Sequence, residues 1–212
     1  MKPVFIFIAI LVLGFFGVYM FTNQNNKPAS QNPISNLQTG TPTLTSSPTP
    51  AGQSPLGGAN DFISAKSAII KTAKGNIEIE LYPQDAPKTV TNFATLSKRG
   101  YYNGLTFHRV EPGFVIQGGD PNGNGTGGSS IYGAKFEDEL NANTTSYKAG
   151  YLEGVVAMAN SGPNTNGSQF FIMLANNSLP HAYTIFGKVT KGIDVVKQIV
   201  VGDKMLSVTP EQ

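Results

Sequence analysis

The segment 107–120, FHRVEPGFVIQGGD, combines the residue types that a peptide-binding groove needs. Arg109 supplies a permanent cation with a planar fork of N–H donors. Phe114 supplies an apolar ring, and Gln117 supplies an amide that both donates and accepts hydrogen bonds. Two glycines, Gly113 and Gly118, let the backbone turn sharply. This combination favours a shallow groove that holds an extended peptide by its backbone and by one apolar side chain.

The segment 158–171, MANSGPNTNGSQFF, is expected to form the opposite wall of this groove. The side-chain amides of Gln117 and Asn160, with the backbone around 159–160, can bond an extended chain as an added strand would be held. Gln169 is expected to support Arg109 from behind. Phe170 and Phe171 are adjacent on a predicted strand, so their side chains point to opposite faces. We assign Phe170 to the core and Phe171 to the groove.

Together the two segments resemble the cyclophilin family of peptidyl-prolyl cis/trans isomerases, and the resemblance extends from about Ser67 to Val208. It implies a mainly β fold, a closed antiparallel eight-stranded barrel capped by two helices. It also implies an enzyme that accelerates rotation about Xaa-Pro peptide bonds without a metal or a cofactor. Its partners would be proline-containing polypeptides that are unfolded or extended, and the enzyme would act as a monomer.

The resemblance assigns two catalytic residues, Arg109 and Gln117. Phe171 would form the floor of a proline pocket and Phe114 a side wall. His108 precedes Arg109 on a strand, so it points to the other side and is interpreted as structural. The residues assigned to substrate binding are Phe114, Val115, Ala159, Asn160, Gln169, Phe171, Leu179 and Tyr183.

Two positions depart from the best-known eukaryotic pattern of this family. Ser178 stands where those cyclophilins have a tryptophan, and the chain contains no tryptophan at all. Tyr183 stands where they have a histidine, a substitution familiar among bacterial relatives. The resemblance therefore indicates a bacterial form in which cyclosporin binding is weakened and isomerisation is kept.

Other interpretations compete with each of these assignments. An isolated arginine is more commonly part of a surface ion pair, here with Glu111. A non-catalytic peptide-binding or chaperone module would use the same groove, and a surface adhesin or scaffold would use the barrel as a display unit. The glycine-rich stretch 118–128 lacks the Gly-Lys-Ser/Thr of a phosphate-binding loop. The acidic run 137–139 is interpreted as a solvated face rather than a metal site.

Composition excludes several classes of function. The chain has no cysteine and only two histidines, which excludes disulfides and thiolate chemistry and argues against a multi-histidine metal site. Two of its 15 basic residues, Lys2 and Lys27, precede residue 61, so the predicted domain carries 13 basic and 13 acidic residues. This neutral balance gives no electrostatic footprint for nucleic acid.

The chain divides into three predicted parts. Residues 1–21 contain the uncharged, mainly apolar run from Val4 to Phe21, which is long enough to cross a bilayer. Lys2 precedes this run, so the positive-inside tendency places the N-terminus in the cytoplasm and the domain outside, at the cell surface or in the periplasm. A cleaved signal peptide, with secretion of the domain, is the competing interpretation. Residues 22–60, rich in Pro, Ser, Thr and Asn, are expected to be a disordered linker, and residues 61–212 the isomerase domain.

Periodicity indicates many short strands and two helices. Proline at position 87 suits the first turn of a helix, and Gly100 is expected to end it. A second short helix is predicted at 192–199. Strands are predicted at 68–72, 76–82, 106–110, 115–117, 154–158, 170–174, 184–189 and 205–209.

Overall fold

The computed structural model describes residues 64–212, and the apolar run 4–21 and the linker 22–60 lie outside the described residues. Within the described part no helix combines the length and apolar character needed to cross a bilayer. The strands are β1 (Ser67–Thr72), β2 (Gly75–Leu81), β3 (Arg109–Glu111), β4 (Val115–Gly118), β5 (Val155–Met158), β6 (Phe170–Met173), β7 (Ile185–Lys191) and β8 (Ser207–Glu211). The helices are α1 (Pro87–Lys98), α2 (Thr145–Ala149) and α3 (Ile193–Gln198).

The eight strands form one antiparallel sheet, in the order β3-β4-β6-β5-β7-β2-β1-β8, that curls into a half-barrel. The predicted closed barrel is therefore corrected, because no ladder among the described residues joins β3 to β8. An isolated bridge between Thr106 and Lys204, with hydrogen bonds from the N–H of Met205 to the carbonyl of Leu105 and from the N–H of Phe107 to the carbonyl of Asp203, spans that gap instead. No ladder forms between β3 and β8 because β3 is only three residues long and ends at the turn that contains Pro112.

The strands β1 and β2 are joined by a tight hairpin. Thr72 accepts the backbone N–H of Lys74 and donates to the carbonyl of Gly75, whose φ of 136° suits glycine. Ile70 and Ile77 pair across the ladder, and both are fully buried. Both predicted strands are present, and in each the buried residues alternate with more exposed ones.

Helix α1 covers the core and confirms the prediction from Pro87. Its central ring, Phe93, is fully buried and lies 5.3, 5.4 and 5.2 Å, between ring centroids, from Tyr102, Phe170 and Phe186. Phe170 is also fully buried, which confirms its assignment to the core. Aromatic pairs at these separations stabilise a core beyond the area they bury.

Residues 64–212 contain three helices, and the prediction of two in this domain was wrong. The missed element is α2, a five-residue helix that begins after Thr144. The side chain of Thr144 accepts the backbone N–H of Tyr147 and caps the helix. One turn is too short for a hydrophobic period to show, since periodicity needs a window of several turns.

Candidate active site

The hairpin of β3 and β4 places Arg109 directly opposite Gln117 in the strand register. Paired residues in adjacent strands lie on the same face, so both side chains reach the same side of the sheet. The turn between the strands contains Gly113, at φ 72°, and is closed by a bond of 2.9 Å from the N–H of Phe114 to the carbonyl of Glu111. This turn also brings the Phe114 ring back toward the arginine.

A hollow of about 210 Å³ opens beside this hairpin. It brings together nine of the ten residues that the sequence assigned to catalysis or substrate binding, from β3, β4, β6, the β3–β4 turn and two loops. The residues that line it are Arg109, Phe114, Val115, Gln117, Ala159, Asn160, Phe171, Leu179 and Tyr183. Their individual roles stay predictions.

The floor of the hollow is apolar. Phe171 is 6% exposed and meets Tyr183 edge to face, with ring centroids 5.5 Å apart. Val115, Met173 and Ile185 lie in the same small hydrophobic cluster, which is separate from the main core. A floor packed in this way is held rigidly, and it presents ring faces and edges to whatever enters.

One rim of the hollow carries Arg109. Its Nη1 donates to Oε1 of Gln117 at 3.3 Å, and its guanidinium carbon lies 5.8 Å from the centre of the Phe114 ring. Its Nε also lies 3.6 Å from Oε1 of Glu111, in a pair with both partners about half exposed. The predicted ion pair with Glu111 is therefore present, and the same side chain lines the hollow, where its role as a donor stays a prediction.

Gln169 is the one predicted residue that does not line this hollow. Its Oε1 accepts Nε2 of Gln117 at 2.9 Å, and its own Nε2 donates to the carbonyl of Gly127 at 2.9 Å. A chain of hydrogen bonds therefore runs from Arg109 through Gln117 and Gln169 into the glycine-rich loop. This arrangement fixes the orientation of both glutamine amides.

The side chain of Asn160 forms hydrogen bonds within the protein. Its Nδ2 donates to the carbonyl of Ala182 at 2.8 Å and lies 3.4 Å from Oδ1 of Asp138. Within residues 64–212 no hydrogen bond is formed by the backbone N–H or C=O of Asn160. The backbone of Asn160, rather than its amide side chain, is therefore available to bond an extended chain.

Two supporting residues were missed from the sequence. Asp138 was interpreted as part of a solvated acidic face, but it is half-buried and also accepts the N–H of Asn164 and the amide of Asn166. Tyr151 was assigned no role, yet its hydroxyl donates to the carbonyl of Tyr183 and accepts its N–H. For Asp138 the sequence offered only an acidic residue followed by several asparagines. This pattern does not specify which asparagine side chains the carboxylate binds.

His108 lies away from the hollow, as its place on the strand predicted. Both ring nitrogens are buried and have no hydrogen-bond partner within the described residues. Burial lowers the pKa of His108 from its usual value, and the nearby Arg109 adds to this effect while Asp120 opposes it. The imidazole is therefore held neutral and beside the site, not within it.

Comparison with known proteins agrees with this geometry. Residues 67–212 match the family model described as cyclophilin type peptidyl-prolyl cis-trans isomerase/CLD. The chain is 52% identical over 136 residues to peptidyl-prolyl cis-trans isomerase-like 1 of Aspergillus fumigatus, covering 64% of this chain and 82% of the relative. It is 54% identical over 131 residues to the isomerase ppi1 of Schizosaccharomyces pombe, covering 61% and 82%.

Solved structures give the same result. A cyclophilin type isomerase from Cryptosporidium parvum superposes with a TM-score of 0.61 at 36% identity, covering 70% of this chain and 98% of that one. A second crystal structure of that protein, determined in the presence of the dipeptide Ala-Pro, superposes with a TM-score of 0.60.

The half-barrel, the hollow and these matches define one class of protein. The chain belongs to the cyclophilin-type peptidyl-prolyl cis-trans isomerases, and it is an enzyme of that activity. The reaction it catalyses is rotation about the peptide bond that precedes proline, in which no covalent bond forms or breaks.

Proposed function

We propose that Arg109 is the catalytic donor of this isomerase and that the hollow beside it takes the proline ring of the substrate. A peptide bond resists rotation by about 18–20 kcal/mol because the nitrogen lone pair is shared with the carbonyl. When the bond is half-turned, that sharing is lost and the lone pair returns to the proline nitrogen. A donor that bonds this lone pair stabilises the twisted state more than either planar isomer.

The position of Arg109 at the rim of the hollow is the observation that carries this proposal. A proline seated on Phe171 would place its nitrogen within reach of the guanidinium. Gln117 holds the guanidinium at 3.3 Å, so little reorganisation is needed when the bond turns. A preorganised donor of this kind contributes on the order of 10²–10³ in rate.

Substrate binding divides between the apolar floor and the backbone of the facing loop. Phe114, Val115, Phe171, Leu179 and Tyr183 would enclose the proline ring. The unpaired N–H and C=O of Asn160 would bond the residue before it, as an added strand is held. These contacts recognise proline and main chain, so the expected substrates are unfolded or extended polypeptides of varied sequence.

The setting of the activity is the second part of the proposal. The apolar run from Val4 to Phe21 supports a membrane anchor, with the domain outside the cytoplasm assisting the folding of translocated proteins. The bacterial character expected from Tyr183 stays a prediction, since the relatives compared come from fungi and a protozoan. Fractionation of cells producing the full chain, with the mass of the mature protein measured in each fraction, tests both anchor and cleavage.

A protease-coupled assay on a proline-containing tetrapeptide tests the role of Arg109. We expect Arg109→Ala to lower kcat/KM by about 10²–10³. The chain contains one other arginine, Arg99, which is exposed at the end of α1, so Arg99→Ala is the matched control and should retain full activity. Equal rates for wild type and Arg109→Ala would remove the proposed role.

A further inference from the structure

The glycine-rich loop after β4 is organised around one buried carboxylate, Asp120. Asp120 is only 1% exposed. Oδ1 accepts the backbone N–H of Asn122 at 2.8 Å and of Gly127 at 3.0 Å. Oδ2 accepts those of Asn124, at 3.0 Å, and of Gly125. The carboxylate thus gathers four amides from six consecutive residues.

Asp120 is kept ionised mainly by these amides, with a smaller contribution from the nearby His108. No lysine or arginine within residues 64–212 forms an ion pair with it. Burial acts to raise its pKa, but the backbone N–H bonds outweigh burial and hold the pKa below its usual value. A charge that accepts four N–H bonds fixes the loop more firmly than a neutral acceptor would.

The loop joins Asp120 to the hydrogen-bond chain of the hollow. The N–H of Gly127 is bound by Asp120, and the carbonyl of the same residue accepts Nε2 of Gln169 at 2.9 Å. The side-chain oxygen of Gln169 in turn accepts a hydrogen bond from the amide of Gln117, and the side-chain oxygen of Gln117 accepts one from Arg109. A Cβ added to Gly127 would collide with the Asp120 carboxylate and with Asn122, so the loop has no free space to shift at this residue.

We propose that Asp120 is a positioning residue for isomerisation, acting through Gly127, Gln169 and Gln117 to hold the guanidinium of Arg109 at the rim of the hollow. Asp120 touches neither the hollow nor Arg109, so its influence is on the rate of rotation and not on proline binding. This inference rests on the role proposed for Arg109, and it gives a function to a glycine-rich loop that carries no phosphate-binding signature.

The variant that tests it is Asp120→Asn. An asparagine keeps one acceptor but places an NH₂ group against two of the four N–H donors, so the loop must open. We expect kcat to fall about ten- to hundredfold, because a displacement of a catalytic group by about 1 Å lowers the rate by about this factor. KM for the tetrapeptide should stay within about twofold, since the apolar floor is unchanged. The control is Asp85→Asn, which alters a carboxylate that accepts the N–H of Ser146 far from this chain of bonds and should leave kcat unchanged.

A double-mutant cycle separates positioning from a merely structural role. Gln169→Leu cuts the chain of bonds beyond Gly127, so adding Asp120→Asn in that background should cause little further loss of kcat. Losses that multiply, a loss confined to KM, or a lower melting temperature with wild-type kcat would each overturn the inference. Equal rates for wild type and Arg109→Ala would instead refute the proposed role of Arg109, so the two failures are distinguishable.

A second variant keeps the test decisive if Asp120→Asn does not fold. Gly127→Ala keeps an acidic residue at position 120 but crowds its carboxylate and displaces the link to Gln169, and the φ of Gly127 lies outside the left-handed region that strains alanine. The same pattern, lower kcat with unchanged KM, is expected from the folded Gly127→Ala enzyme. Wild-type kcat in this variant would overturn the inference.

Discussion

Replacing Arg109 by lysine separates the charge of this residue from its geometry. Lysine keeps a positive charge but provides a mobile ammonium in place of a planar fork. The bond of 3.3 Å from Nη1 to Gln117 and the contact of the guanidinium carbon with the Phe114 ring, 5.8 Å from its centre, are both made by the guanidinium group. If positioning of the donor supplies about half of the 2.7–4 kcal/mol typical of such a group, the loss is about 1.4–2 kcal/mol. This corresponds to about a ten- to thirtyfold drop in kcat/KM.

The same substitution should leave folding almost unchanged. Arg109 is 45% exposed and Glu111 is 53% exposed, and a surface pair of this kind contributes about 0–1 kcal/mol. We expect the melting temperature, followed by circular dichroism, to change by less than about 4 °C. Glu111→Gln is the control, because it removes the surface pair alone and should keep kcat/KM within about twofold. Wild-type activity in Arg109→Lys, or a loss matched by Glu111→Gln, would refute the reasoning.

Two further predictions concern stability. Because burial lowers the pKa of His108, the unfolded chain binds more protons below about pH 6.5, and stability should fall as the pH is lowered from there through the depressed folded pKa. Urea unfolding at several pH values should show a smaller fall in His108→Gln, and equal slopes would contradict this account. Phe93→Ala removes the ring that contacts Tyr102, Phe170 and Phe186 and should cost about 3–5 kcal/mol of unfolding free energy. Val201→Ala, at a side chain 62% exposed, is its control, and comparable losses in the two variants would mean that the aromatic cluster is not the centre of the core.

Much of the fold follows from local signals in the sequence. Proline at position 87 marks the start of α1, and the alternation through Ile77 and Ile79 marks a half-buried strand. The expected closure of the barrel does not follow from such signals, because it depends on how many residues β3 can contribute before Pro112. Strand length at the end of a sheet is decided by tertiary contacts rather than by propensity.

The residues that line the hollow could be predicted from the sequence more readily than the residues that hold them in place. Arg109, Phe114 and Gln117 lie within one short segment, and the hairpin that it forms pairs Arg109 with Gln117 on one face. The roles of Asp120 and Tyr151 were not predicted, because each acts on backbone groups that no residue pattern identifies. Likewise, the side-chain amide of Asn160 was expected to hold substrate, but it donates a hydrogen bond to the carbonyl of Ala182, 22 residues later in the sequence.

The short end strand β3 has a consequence for how the protein behaves at high concentration. An unpaired strand edge is a template on which another chain can add, and aggregation often begins there. Arg109 and Glu111 are the exposed residues of β3, and three residues give an incoming strand little length to pair with. The charged side chain proposed to serve the reaction also disfavours the addition of another strand, so apolar replacements at position 109 are expected to lower solubility as well as turnover.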